Sequence, residues 1–161
     1  MMYWPRKAEA IKKLRQFAGV VPLSHFAAGQ KAWFDYVVKA CTIFWQPYMR
    51  SGKLIYIHLY NRQEQGRPFN EFYGICNHYW DNTVTIGLST DALDAGRYCA
   101  IVTLLHEIAH LKYEGHERDF DNHFNEILVR YNRISGSHIN LNDVSCIAHC
   151  DRRKGSVNCL A

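Results

Sequence analysis

The spacing of apolar residues changes period several times along the chain, and each change marks an element. In residues 5–17, Ile11 and Leu14 share a face opposite Arg6, Lys7, Lys12, Lys13 and Arg15, which predicts a basic amphipathic helix. Residues 17–30 hold two glycines and Pro22 and read as a connection. Trp33, Val37, Ala40 and Phe44 then recur at helical spacing and predict one largely buried helix over 31–49. After the Ser51-Gly52 turn, Leu54, Tyr56, His58 and Tyr60 alternate with Ile55, Ile57 and Leu59, a β-branched and aromatic run that predicts a strand. Gly66, Pro68 and Asn70 break that pattern. Residues 71–80 resume it, Asp81-Asn82 supplies a tight turn, and 83–88 predicts the partner strand of a hairpin. Residues 89–96 form a polar bridge to a helix predicted over 97–114. A second helix is predicted after Gly115, with Phe120, Phe124, Ile127, Leu128 and Tyr131 on one face and its end before Ser135-Gly136.

These elements predict an α+β fold in which a small antiparallel sheet packs against helices. A chain of 161 residues suits one domain over 1–161, with its core over about 31–134 and an irregular tail over 135–161. With 48% hydrophobic, 14% aromatic and 21% charged residues, the composition is that of a globular protein and excludes a disordered or fibrous one. The net charge of +4 permits a nucleic-acid partner without the concentrated basic stripe that would demand one. No apolar run of signal-peptide or bilayer-spanning length is visible, so the expected location is cytoplasmic, without a membrane partner. Six cysteines at irregular spacing then suggest free thiols or metal ligands rather than a disulfide framework.

The chemistry concentrates in His106-Glu107-Ile108-Ala109-His110, an H-E-x-x-H inside the predicted helix of 97–114. Residues four apart differ by only about 40° around a helix, so both imidazoles leave the same face one turn apart and can reach one Zn²⁺. Glu107, turned about 100° away, is placed to meet an attacking water and act as general base. Ile101, Leu104, Ile108 and Leu111 form an apolar stripe on the other side, so the histidines are expected to face a cleft.

A catalytic zinc needs a third protein ligand. In a continued helix His116 would be rotated about 240° from His110, so it can ligate only where the helix stops in between. Gly115, in a left-handed closing conformation, is the expected stop. Glu126 is the alternative third ligand. Tyr113 lies nearly in line with the two helix histidines and is expected to border the site, whereas His123 reads as a surface or supporting residue. A second, structural zinc is weighed on Cys146, Cys150 and Cys159 with His138 and His149, beside the basic run Arg152-Arg153-Lys154, but a second paired-Cys motif is missing. Cys99 reads as a packing residue, and His25, His58 and His78 as structural.

With its H-E-x-x-H, five intervening residues and third His at 116, followed by Phe120, the chain resembles the SprT-like and YgjP-like minimal zincin peptidases. The runs Tyr73-Gly74-Ile75-Cys76 and Thr85-Ile86-Gly87-Leu88 look like the hairpin that precedes the active helix in that group. The resemblance covers about 51–131 and implies a minimal zincin fold and a zinc-dependent endopeptidase. Its protein or peptide substrate would pair with an edge strand beside the metal, for which 83–88 is the expected strand. A nucleic-acid-associated module on a zincin scaffold, or a protease acting on DNA-bound proteins, is the alternative implied by SprT-like relatives together with the basic segments. A regulatory or toxin-like peptidase with one dedicated target is a third.

Overall fold

The computed structural model describes residues 2–3, 26–64, 72–79, 82–96 and 98–141. The helix predicted over 5–17, His25, the basic run at 152–154 and the cysteines of the tail lie outside the described residues, and with them the basic segments that favour a nucleic-acid partner.

The elements run β1 (Met2–Tyr3), α1 (Ala28–Ala40), α2 (Thr42–Arg50), β2 (Leu54–Tyr60), a 3₁₀ turn (Arg62–Glu64), β3 (Gly74–His78), β4 (Thr83–Ser89), α3 (Thr90–Asp94), α4 (Cys99–Ala109) and α5 (Arg118–Ser135). The fold is therefore α+β. The helix expected over 31–49 is two helices: Cys41 takes a non-helical ψ of 4° between them, and its amide is shared by the carbonyls of Val37 and Val38. Only one side of the pair is buried, with Phe34, Val37, Val38, Phe44 and Trp45 inside and Tyr36 and Ile43 exposed. The polar bridge of 89–96 holds the short helix α3, whose first turn is capped by Ser89 Oγ accepting from the Ala92 amide at 3.1 Å.

The sheet has the order β1-β2-β4-β3 and is mixed, which corrects the expected antiparallel sheet. β2 and β4 run parallel from Leu54 opposite Thr83 to Tyr60 opposite Ser89, while β3 and β4 form the predicted antiparallel hairpin. The connection from β2 carries the chain past the position β4 will fill and lays β3 down first. β4 is thus an interior strand, paired on both sides, and among the described residues β3 rather than 83–88 lies at the edge of the sheet. Burial agrees, because a strand covered on both faces reads as a continuous apolar run: six of seven residues in β2 and all of β4 are buried.

Alternation along these strands puts Ile55, Ile57, Leu59, Val84, Ile86 and Leu88 on one face, with Gly74, Cys76 and His78 beside them on β3. That face packs against α4, and the resulting core takes in α1, α2 and α5. All eleven residues of α4 are buried. The cleft expected over its histidine face is instead covered by Phe120 and Phe124 of α5. Cys41 and Cys76 are free thiols, whereas Cys99 is disulfide-bonded, against the expectation of a simple packing thiol. No helix among the described residues is long and apolar enough to cross a membrane.

Candidate metal centre

Helix α4 delivers His106 and His110 to one side, and the chain then turns back so that His116 meets them. The Nε2 atom of His116 lies 3.2 Å from that of His106 and 3.1 Å from that of His110. The three ligand atoms fall within 4.8 Å of one another, and no other group of three potential ligands gathers in this way among the described residues. Four nitrogen donors held tetrahedrally at about 2.0–2.1 Å from a zinc ion would be about 3.3 Å apart, close to the two short spacings here.

Proton positions point the same way. His110 Nδ1 is 2.8 Å from the carbonyl oxygen of Tyr113, which can only accept, so Nδ1 carries the proton and Nε2 of the neutral ring presents a lone pair to the centre. This is the tautomer a metal ligand needs, and a carbonyl on the far nitrogen is the usual device for fixing it. One proton on His116 Nε2 can point at only one of its two neighbours. A cation answers all three nitrogens at once. The described residues therefore hold a site that can bind a metal ion.

The site is largely buried. His106 is 3% exposed, His110 1% and Glu107 0%, while His116 is half-buried. Phe120 closes it from α5, stacked on His110 with ring centroids 4.3 Å apart and meeting His106 and His116 at 4.8 and 5.0 Å. Phe124 meets His106 at 5.1 Å. Such packing restricts ring rotation, and the low polarity around the rings strengthens any charge interaction inside.

Glu107 turns toward the sheet and lies under β3. A Cβ placed on Gly74 would stand 3.0 Å from Glu107 Oε1, 3.1 Å from its Cγ and 2.6 Å from Thr103 Cγ2. The strand can approach this closely only because residue 74 has no side chain.

The end of α4 differs from the expectation. Gly115 is absent from the residues with positive φ, so no left-handed glycine closes this helix. Regular helix stops at Ala109, and tightened bonds follow: Leu111 and Lys112 donate to Ile108 and Ala109, three residues back, at 2.9 and 3.2 Å. The His110 carbonyl accepts from His78 Nε2 at 2.9 Å, and the Leu111 carbonyl from Lys53 Nζ at 3.3 Å. Burial, only partly offset by Glu114, lowers the His78 pKa from its ordinary value. Its Nδ1 sits 4.0 Å from Glu114 Oε1.

Of the residues singled out by sequence, His106, Glu107, His110 and His116 thus share one helix and its returning turn. Glu126 is exposed on α5 and is no member of the histidine cluster. Tyr113 contributes its carbonyl rather than its ring. That ring instead meets His123 with centroids 5.6 Å apart, and burial followed by the nearby Lys112 lowers the His123 pKa. His138 is exposed, and Cys146, Cys150 and Cys159 lie outside the described residues. Sequence reasoning gave Lys53 no role, read His78 only as structural, and placed Gly74 in the hairpin without its approach to Glu107. A glycine inside a strand run was the one available signal, since it marks a close backbone approach.

No protein-family model matches this chain, and comparisons with curated proteins and with solved structures find no similar protein.

Proposed function

We propose that the chain is a zinc metallopeptidase of the minimal zincin type, an endopeptidase that hydrolyses peptide bonds of protein substrates. The observation that carries this reading is the convergence of three imidazole Nε2 atoms on one point, with a buried glutamate next to the first of them in the chain. An ionised carboxylate is expensive to bury, and a site that needs a base beside an attacking water gives a reason to keep one there. A zinc ion held by His106, His110 and His116 supplies Lewis acidity, which polarises a carbonyl and lowers the pKa of water. Glu107 is the residue that would accept the proton of an attacking water and return it to the leaving amine as the C–N bond breaks. The Tyr113 carbonyl holds His110 in its ligating tautomer, and Phe120 keeps the rings in place. Among the described residues β3 pairs with β4 alone, so its other edge offers amides and carbonyls to an extended peptide.

Elemental analysis of the purified protein should find one zinc per chain for this centre, and none would end the proposal. Glu107→Gln should keep that zinc and lower cleavage of an unfolded protein such as casein by at least about 100-fold. Cleavage at the wild-type rate would remove Glu107 from the chemistry.

A further inference from the structure

We propose that His78 and Lys53 are positioning residues that end helix α4 and thereby bring His116 to the metal centre, an inference that rests on reading the three histidines as ligands. The starting point is that no local signal stops this helix. Residues 109–114 are Ala, His, Leu, Lys, Tyr and Glu, none of which is a helix breaker, and the glycine that follows is not left-handed. Left to its own preferences the helix would run on to about residue 114, as its sequence suggests. His116 would then be carried about 240° away from His110 and out of reach.

The carbonyls show what happens instead. In a continued α-helix the His110 oxygen would accept from the Glu114 amide and the Leu111 oxygen from the Gly115 amide. Each oxygen accepts instead from a side chain, His78 Nε2 at 2.9 Å and Lys53 Nζ at 3.3 Å. The Tyr113 oxygen is taken by the ring of His110 at 2.8 Å. The last backbone amide to follow the helical pattern is that of Tyr113, donating to Ala109 at 3.2 Å. Two donors from the sheet side, one at the end of β3 and one just before β2, therefore substitute for the next two helical amides. They meet the negative end of the helix dipole, where donors and positive charge are favoured. The chain released at residue 112 is free to return, and the third histidine arrives six residues after the second.

The test uses the full chain and four variants: Lys53→Met and His78→Phe, which keep the bulk and remove the donor, their double variant, and His78→Gln, which restores an amide donor. Zinc affinity is measured by competition with a chromophoric chelator. The double variant should lose about 10–100-fold in affinity, His78→Gln should recover most of the loss of His78→Phe, and adding His116→Ala to the double variant should cost almost nothing more. Wild-type affinity in the double variant, or a full additional loss from His116→Ala in that background, would overturn the inference. A second reading needs no metal: Cα chemical shifts of the zinc-free double variant should become helical through residues 112–114, and unchanged shifts there would overturn the inference even if zinc affinity fell. Failure of the wild type to bind zinc would instead strike the metal-centre proposal, leaving the chemical shifts to decide on the helix end.

Discussion

Helix α5 ends at Gly136, which takes φ 72° and ψ 14° immediately after Ser135, whereas α4 ends six residues before its nearest glycine, on donors from other parts of the chain. The first end is written into the local sequence and lies on the surface. The second exists only after the sheet and helix have met, and it is the one that shapes the candidate site. A helix end that must aim a ligand gains from tertiary control, because the same contacts that stop it also fix it relative to the sheet. A surface end has no such task, and a glycine suffices.

The comparison can be tested from its largest consequence downward. Phe120 belongs to the first turns of α5 and is 1% exposed against the three histidines, so it is where the two helices meet. Phe120→Ala should lower the unfolding free energy by about 3–5 kcal/mol, read from a urea midpoint at unchanged slope. A loss below about 1 kcal/mol would mean that α5 does not hold the histidine face of α4.

The next effect comes from the sheet face turned away from α4. His58 is buried there, and burial, followed by the charge of the N-terminus, lowers its pKa to about 3. Its unfolded value is near 6.5, so between about pH 6.5 and 3 the unfolded chain binds a proton that the folded chain refuses. The stability it contributes is complete above about pH 6.5 and is lost as the pH falls, by up to about 1.4 kcal/mol per unit from this group. Metal-free His58→Gln should show a shallower acid slope than metal-free wild type, and equal slopes would place the acid sensitivity elsewhere.

The smallest effect is the sharpest for the comparison. Gly136→Ala should cost about 1 kcal/mol, because a Cβ is strained at that φ. Gly115→Ala should change stability by less than about 0.5 kcal/mol, since its φ is not left-handed and its Cβ would meet only Glu117 Cγ at 4.0 Å. A larger cost at Gly115 than at Gly136 would restore the glycine stop that the sequence suggested for α4.

Legibility followed the same division. The five apolar positions predicted for α5 are its five buried residues, and H-E-x-x-H placed two imidazoles on one side of α4 because helical geometry alone requires it. The hairpin of β3 and β4 was visible from its turn. What sequence could not show was set by pairings distant in the chain. The β2 run looks the same whether its partner is parallel or antiparallel, so the interior position of β4 stayed hidden. The break at Cys41 came inside an unbroken apolar period. His78 carries no ligand spacing, and its partner is a backbone oxygen, which leaves no trace in residue types.

The strand order also sets a timetable for folding. His78 pairs with Val84 across a short turn, whereas Leu54 must find Thr83 across the whole hairpin, so the hairpin can close early and its docking on β2 must come later. Lys53 adjoins β2 and His78 rides on the hairpin, so the two donors come together at α4 only when that docking is made. Conservative substitutions at Val84 should accordingly slow folding, while Lys53→Met should mainly speed unfolding, each read from the arms of a chevron plot. The candidate metal centre would then be among the last parts of the molecule to take shape, and a nascent chain would gather its three histidines only once the rest of its architecture had been checked by assembly.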